Sequence, residues 1–388
     1  MTQFSVPLLS AQNLLAQARA STGIDIDDRN AFEPLSVLIT SLNADSRLHD
    51  SGAAAMQEKL LRLLCNRLRM QRDFAVHPNI AEQEIRAPIV ICGMARTGST
   101  KLQKLLSASG DFNWLPYWQV HGPSLVSGDP GESTAPRIRD AERFCQWFDQ
   151  ESPEAKYGHA FEAHEPDEES YILEHSLRTP CFMGWSELPG YLQWLLGQDM
   201  TLQFHYLRDA LKYLQWQGLH DPEKRWVLKC PLYFGLEPQL LSVFPDATLV
   251  MTHRHPSETI ASSCRLLETF HMPFTFAPVD PAAFLAGTAA QMAQHLQVRE
   301  QQRDIRFLDL HFSEIVKSPA TTAAKIYDYC GIALTEQALT NMLDWNRKNP
   351  RHKQGVHRYA LADYGFSPDV IAREFKEYTA LIDTLQMV

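Results

Sequence analysis

The sequence predicts an α/β fold: a P-loop-like parallel β-sheet flanked by helices, with an all-helical N-terminal region. Three observations carry that expectation. The β-branched run Ala87-Pro88-Ile89-Val90-Ile91-Cys92 leads into the glycine turn Gly93-Met94-Ala95-Arg96-Thr97-Gly98-Ser99-Thr100. Leu102, Leu105 and Leu106 then follow at helical spacing, which is the strand, turn, helix order of a phosphate loop. Three more compact apolar runs, at 225–228, 247–251 and 305–310, each lead into helical patterning, as parallel strands covered on both faces do. Before Pro88, residues 8–18 and 56–70 carry Leu and Ala at helical spacing, and no strand pattern competes with them. The expected organisation is a helical region over 1–86 and an α/β domain over 87–388.

Composition narrows the function classes. With 388 residues, 45% of them hydrophobic, the chain can bury one large core or two smaller ones around a deep pocket. A formal net charge of −10 argues against a nucleic-acid or membrane-surface protein, because binding polyanions calls for a basic excess. Cys65, Cys92, Cys145, Cys181, Cys230, Cys264 and Cys330 are scattered, odd in number and never spaced C-x-x-C, so they read as buried thiols rather than a zinc site or a disulfide framework. No metal is expected. No stretch approaches eighteen consecutive apolar residues and the N-terminus lacks a secretory pattern, which makes the cytoplasm the expected compartment and excludes a transmembrane segment. The run 122–136 is rich in Gly, Ser and Pro and reads as a surface loop or lid. Nothing in these patterns encodes a subunit number.

The glycine turn matches G-x-x-x-x-G-K-[ST] except that Ser99 stands where the lysine belongs. The backbone cradle for an oxyanion remains, at a helix start where N–H groups and the helix dipole favour negative charge, while the grip on a triphosphate is lost. Arg96 adds full charge, and the ligand expected is a nucleotide with a shorter phosphate tail. A second basic element lies in Pro245-Asp246-Ala247-Thr248-Leu249-Val250-Met251-Thr252-His253-Arg254-His255-Pro256. It delivers Arg254 to the carboxyl end of a buried strand, where open α/β sheets bind ligands. Ser262 follows about two helical turns on, so one guanidinium and one hydroxyl can share an anion. A third, Arg351-His352-Lys353-Gln354-Gly355-Val356-His357-Arg358-Tyr359, suits a loop closing over a phosphate. Taken singly, each has a plain structural reading as a turn, a surface ion pair or a solvated face.

Together these segments, with Trp226-Val227-Leu228-Lys229-Cys230-Pro231, resemble the sulfotransferases that use 3′-phosphoadenosine 5′-phosphosulfate (PAPS), in order and in spacing, and most closely the bacterial branch. The resemblance implies that the loop Arg96, Thr97, Gly98, Ser99 and Thr100 holds the 5′-phosphosulfate. It implies likewise that Arg254 and Ser262 hold the 3′-phosphate, that Lys353 and Gly355 belong to a C-terminal basic-glycine loop, and that Lys229 lies beside the transferring group. The activity implied is sulfuryl transfer to a hydroxyl, or as second choice an amine, of a small or lipid-like acceptor. Arg96 and Lys229 are then the catalytic cations. Two other readings stand beside it: a P-loop kinase or nucleotide hydrolase, which the missing Walker lysine disfavours, and a degenerate member that binds nucleotide without turnover.

The general base departs from the family pattern. Relatives of this branch carry Trp-Glu after the loop helix and a histidine two residues after the proline of Leu-Lys-x-Pro, whereas this chain has Trp118-Gln119 and Tyr233. His121 is the first replacement considered, because an imidazole suits base catalysis near neutral pH. Glu165 and His159 are the others. Around them, Pro166-Asp167-Glu168-Glu169 reads mainly as an acidic helix start complementing the dipole before Tyr171-Ile172-Leu173.

Overall fold

The computed structural model describes residues 8–350, 355 and 359–386. Its sheet contains β1 (Ile89–Cys92), β2 (Val227–Lys229), β3 (Thr248–His253) and β4 (Phe307–His311), all parallel and ordered β2-β1-β3-β4. Each strand falls on one of the four apolar runs. In register, Ile91 stands between Lys229 and Val250, and His253 opposite His311.

Alternation along these buried strands builds two cores. Ile89, Ile91 and Val250 pack with Leu102, Leu105, Leu106 and Leu310 on one face. Val90, Cys92, Leu249 and Met251 look into a larger core on the other, which also takes in Leu14, Leu38, Leu60 and Leu64. Those last four come from α1 (Ala11–Thr22), α2 (Arg29–Ala44) and α3 (Asp50–Val76). The N-terminal helices therefore share one continuous core with this face of the sheet. Local chemistry sets their ends: the Ser10 hydroxyl accepts the Asn13 N–H at 3.3 Å at the start of α1, and Gly23 closes it at φ 67°, a left-handed turn that glycine adopts without steric cost.

The stretch 122–136 is only partly the surface loop expected. Residues 122–134 form no helix or strand, but Pro123, Ser124 and Leu125 are buried, and the Leu125 N–H donates to the Tyr213 hydroxyl at 2.8 Å. The glycines and serines mark irregular backbone, and the one leucine among them anchors it.

From β1 the chain passes to β2 on one side of the sheet, and from β3 to β4 on the other. The strand order thus reverses between β1 and β3, and the crevice beyond their carboxyl ends is where such sheets bind ligands. Gly93 leaves β1 at φ 129°, and a Cβ added there would lie 2.4 Å from the Thr252 carbonyl oxygen. Only glycine lets the loop after β1 run this close to β3.

Candidate functional site

The loop turns into α4 (Ser99–Ser107) through Gly98, which sits at φ 90° and offers no side-chain cap. The opening amides of this nine-residue helix therefore face the loop without a capping side chain, the arrangement that receives an anion. Thr97 is turned inward: its hydroxyl donates to the Met94 carbonyl at 2.7 Å and lies 2.6 Å from the Thr252 hydroxyl, so its side chain ties the loop to β3. Ser99 is buried and Thr100 exposed. Arg96 has φ 71°, an unusual conformation for a residue with a Cβ, and its guanidinium reaches across the crevice. Nε donates to Ser262 Oγ at 3.1 Å and Nη1 to the Gly158 carbonyl at 2.6 Å.

Arg254 follows the last residue of β3 and meets the same loop. Its Nη1 donates to the Arg96 carbonyl at 3.1 Å, its guanidinium carbon lies 4.2 Å above the Phe312 ring, and Nε and Nη2 bond Glu258 Oε2 at 3.1 and 2.7 Å. Pro256 opens the helix Pro256–His271, with the His255 side chain accepting the Ser257 N–H at 3.3 Å. Ser262, two turns along, is thereby aimed back at Arg96. Gly355 joins this group at φ 119°, close enough that a Cβ would stand 2.7 Å from the Tyr157 ring, and Tyr157 adjoins the Gly158 carbonyl that holds Arg96. Lys353 lies outside the described residues.

A second cluster faces the end of β2. The Lys229 ammonium, buried, is bonded to Glu168 Oε1, and its backbone N–H donates to Glu169 Oε2 at 2.7 Å. His159 Nε2 lies 3.1 Å from Asp167 Oδ1, and its Nδ1 3.9 Å from Glu168 Oε1. Burial pushes the Glu169 carboxyl up to about 7, against the pull of the Lys229 N–H. Burial would raise Asp167 as well, but His159 and Lys229 outweigh it and hold that carboxyl below its usual range. The His159 ring contacts Phe161 (4.8 Å between centroids), Phe270 (5.7 Å) and Tyr171 (6.4 Å). Charged groups thus meet an aromatic wall here.

Residues 88–336, more than half of the chain, match the model of the sulfotransferase family. The chain belongs to the sulfotransferase family. The crystal structure of sulfotransferase STF1 from Mycobacterium tuberculosis is 27% identical, with a TM-score of 0.80 over 96% of this chain and 99% of that one. Sulfotransferase STF9 from Mycobacterium avium shares the fold at 22% identity and a TM-score of 0.83, covering 98% of each chain. No curated protein matches the chain at a significant level.

The structure distributes the base candidates of this sulfotransferase unevenly. His121 ends the short helix Tyr117–His121 and is buried between Tyr117 and Phe144, at ring-centroid distances of 5.6 and 5.2 Å. Its Nε2 lies 3.2 Å from Asp140 Oδ2 and its Nδ1 3.4 Å from the Tyr117 hydroxyl. Burial, reinforced by Arg62, lowers its pKa to about 3. Among the described residues its side-chain bonds and ring contacts run to this group and to none of Arg96, Glu168 or Lys229. An imidazole so weakly basic has little drive to take a proton near neutral pH. Glu165 is partly exposed and pairs with Lys104 Nζ of α4 at 3.2 Å. Of the three, His159 alone joins the Lys229 cluster.

The two positions that depart from the family pattern are also explained by packing. Gln119 Oε1 accepts the His220 Nε2–H at 2.7 Å, and His220 packs on Trp226 at 4.4 Å, next to the amino end of β2. Its side chain therefore points away from the carboxyl-end crevice, so a glutamine there removes no carboxylate from it. Tyr233 is buried against Phe204 at 5.2 Å, and burial together with Glu169 raises its hydroxyl well above the ordinary tyrosine range. The acidic stretch 166–169 is where the sequence reading needs correction. The helix it precedes, Ser170–Leu173, is only four residues long, and the three carboxylates face Lys229 and His159 instead of solvating a helix end.

Proposed function

We propose that this sulfotransferase takes its sulfuryl group from PAPS and delivers it to a hydroxyl on an apolar acceptor, small or lipid-like, with Glu168 as the general base. One observation carries the reading. Arg96 on the loop and Arg254 beyond β3 are two adjoining cations, tied together by 3.1 Å bonds from Arg96 to Ser262 and from Arg254 to the Arg96 carbonyl, which suits a ligand with anions at both its 5′ and 3′ ends and no third phosphate. The uncapped start of α4 and the glycine approach of Gly355 to Tyr157 fit the same ligand.

When bound, PAPS would supply an activated sulfuryl group and a stable bisphosphate leaving group. Arg96 and Lys229 would donate to the non-bridging and leaving oxygens, and such fixed cations supply much of the stabilisation in transfers of this kind. Lys229 is neutralised by Glu168. An anion drawing Lys229 toward itself leaves the Glu168 carboxylate to accept the acceptor's proton as the new S–O bond forms. His159, held by Asp167, keeps Glu168 in place from the other side. Phe161, Tyr171 and Phe270, in ring contact with His159, make an apolar wall for the body of the acceptor. All seven cysteines are buried thiols, which supports the cytoplasm as the compartment. Among the described residues no helix is long and apolar enough to cross a membrane.

An acceptor screen with labelled PAPS tests the reading: release of adenosine 3′,5′-bisphosphate should depend on an added phenol or long-chain alcohol. Turnover of ATP without transfer from PAPS would overturn it.

A further inference from the structure

On the sheet side opposite α4, a chain of buried polar groups runs through the molecule and plays no part in the chemistry above. Glu237 Oε1 lies 2.5 Å from His295 Nδ1, and the Arg299 Nε–H donates to His295 Nε2 at 3.1 Å. Arg299 Nη2 bonds Asp309 Oδ1, the same oxygen lies 2.8 Å from His253 Nε2, and His253 Nδ1 lies 3.2 Å from the Tyr378 hydroxyl. His253, which Tyr378 bonds, is the residue immediately before Arg254. His253, His295, Glu237 and Tyr378 are each at most 1% exposed.

Donor and acceptor roles along this chain are mutually consistent. Because Arg299 is donor-only, His295 Nε2 must accept and its Nδ1–H goes to Glu237. Because Asp309 accepts from Arg299, His253 gives it Nε2–H, keeps Nδ1 as a lone pair and takes the Tyr378 O–H. Burial lowers the His253 pKa despite Asp309, which keeps the neutral tautomer that this pattern needs. A buried hydrogen-bonded network of this kind rigidifies its surroundings, although Glu237 Oε2 has no hydrogen-bond partner among the described residues. At its other end the bonded residue, His253, immediately precedes Arg254, the residue assigned to the 3′-phosphate.

We propose that Tyr378, on the C-terminal helix Lys376–Gln386, is a positioning residue for 3′-phosphate recognition: through His253 and Asp309 it fixes the Arg254 backbone, and with it the aim of the guanidinium. The inference rests on the assignment of Arg254 to the 3′-phosphate. The location of this helix near the end of the chain makes the specificity of a crevice formed by β1 and β3 depend on a segment more than a hundred residues later in sequence.

Calorimetry with adenosine 3′,5′-bisphosphate and with AMP, on the full chain, tests this. The wild type should prefer the bisphosphate. In Tyr378→Phe that preference should fall about tenfold, equivalent to roughly 1.4 kcal/mol, while AMP affinity changes less than about twofold. A purely structural role would weaken both ligands together. Asp309→Asn, which leaves Tyr378 in place and disturbs the far side of His253, should show the same selective loss if the phenylalanine variant folds poorly. A wild type with no preference for the bisphosphate would overturn the assignment of Arg254 and this inference with it. A wild-type preference retained in both variants would overturn this inference alone.

Discussion

Glu168 Oε1 is bonded to the Lys229 ammonium at the end of β2, with the two side chains 14% and 1% exposed. On the proposed reading this one contact holds both the cation and the base of the site, and each neutralises the other.

Removing the carboxylate should separate binding from chemistry. Glu168→Gln is expected to lower kcat by about 10²- to 10⁴-fold, the range for loss of a general base, with the affinity for adenosine 3′,5′-bisphosphate little changed. Steady-state kinetics alongside calorimetry checks both halves. If turnover stays near normal, His159 becomes the base.

The contrast with His121 is a prediction of its own. His121→Gln should lower thermal stability, because it disturbs the buried contacts to Asp140 and Tyr117, yet leave kcat within a few-fold of wild type. A hundredfold loss of turnover in a folded variant would return His121 to the chemistry.

Stability should depend on pH through three buried imidazoles. Burial lowers His121 and His175 to about 3 and His220 to about 4, against about 6.5 in an unfolded chain. A base whose folded pKa is depressed takes up protons on unfolding at pH values between the two. Their contribution is therefore complete above about pH 6.5 and is lost as pH falls toward 3 or 4, at up to about 1.4 kcal/mol per pH unit for each site. Urea midpoints should drop steadily from pH 7 to pH 5, and His175→Asn should flatten that slope if the variant folds. A midpoint independent of pH over this range would show that these rings are not held neutral.

Glu258 Oε2 accepts from two of the Arg254 nitrogens. Arg254→Ala should weaken adenosine 3′,5′-bisphosphate binding by about 1.5–3 kcal/mol, the scale of a hydrogen bond to a charged group. Glu258→Gln should tighten it severalfold by removing a competitor, an exposed pair of this kind being worth at most about 1 kcal/mol. Titration calorimetry reads both, and equal affinities across the set would remove Arg254 from the site.

Much of the scaffold is legible in the sequence because it is encoded locally. Four apolar runs became four strands, and the Gly93 and Gly98 spacing marks a turn that the backbone needs at φ 129° and 90°. Spacing alone put Arg254 and Ser262 on one strand-helix unit, but the bond Ser262 makes in the structure is to Arg96, a partner far away in sequence. The base could not be read that way. Whether His121 or Glu168 faces the crevice depends on how helix Tyr117–His121 and the segment before Ser170 are rotated in the packed molecule, and a run of three carboxylates before an apolar stretch looks the same on a solvated helix end as it does around a buried lysine. The useful signal was the pairing of that acidic run with Lys229, a buried cation in need of a partner. Thr97 shows the converse: its position in the loop is right, but its hydroxyl serves β3.

Calorimetric titration of adenosine 3′,5′-bisphosphate and ATP into the same preparation tests the central claim most directly, because the two ligands differ in where their phosphates lie. The bisphosphate should bind at least tenfold more tightly, with its advantage lost in Arg254→Ala. Tighter binding of ATP would contradict the account.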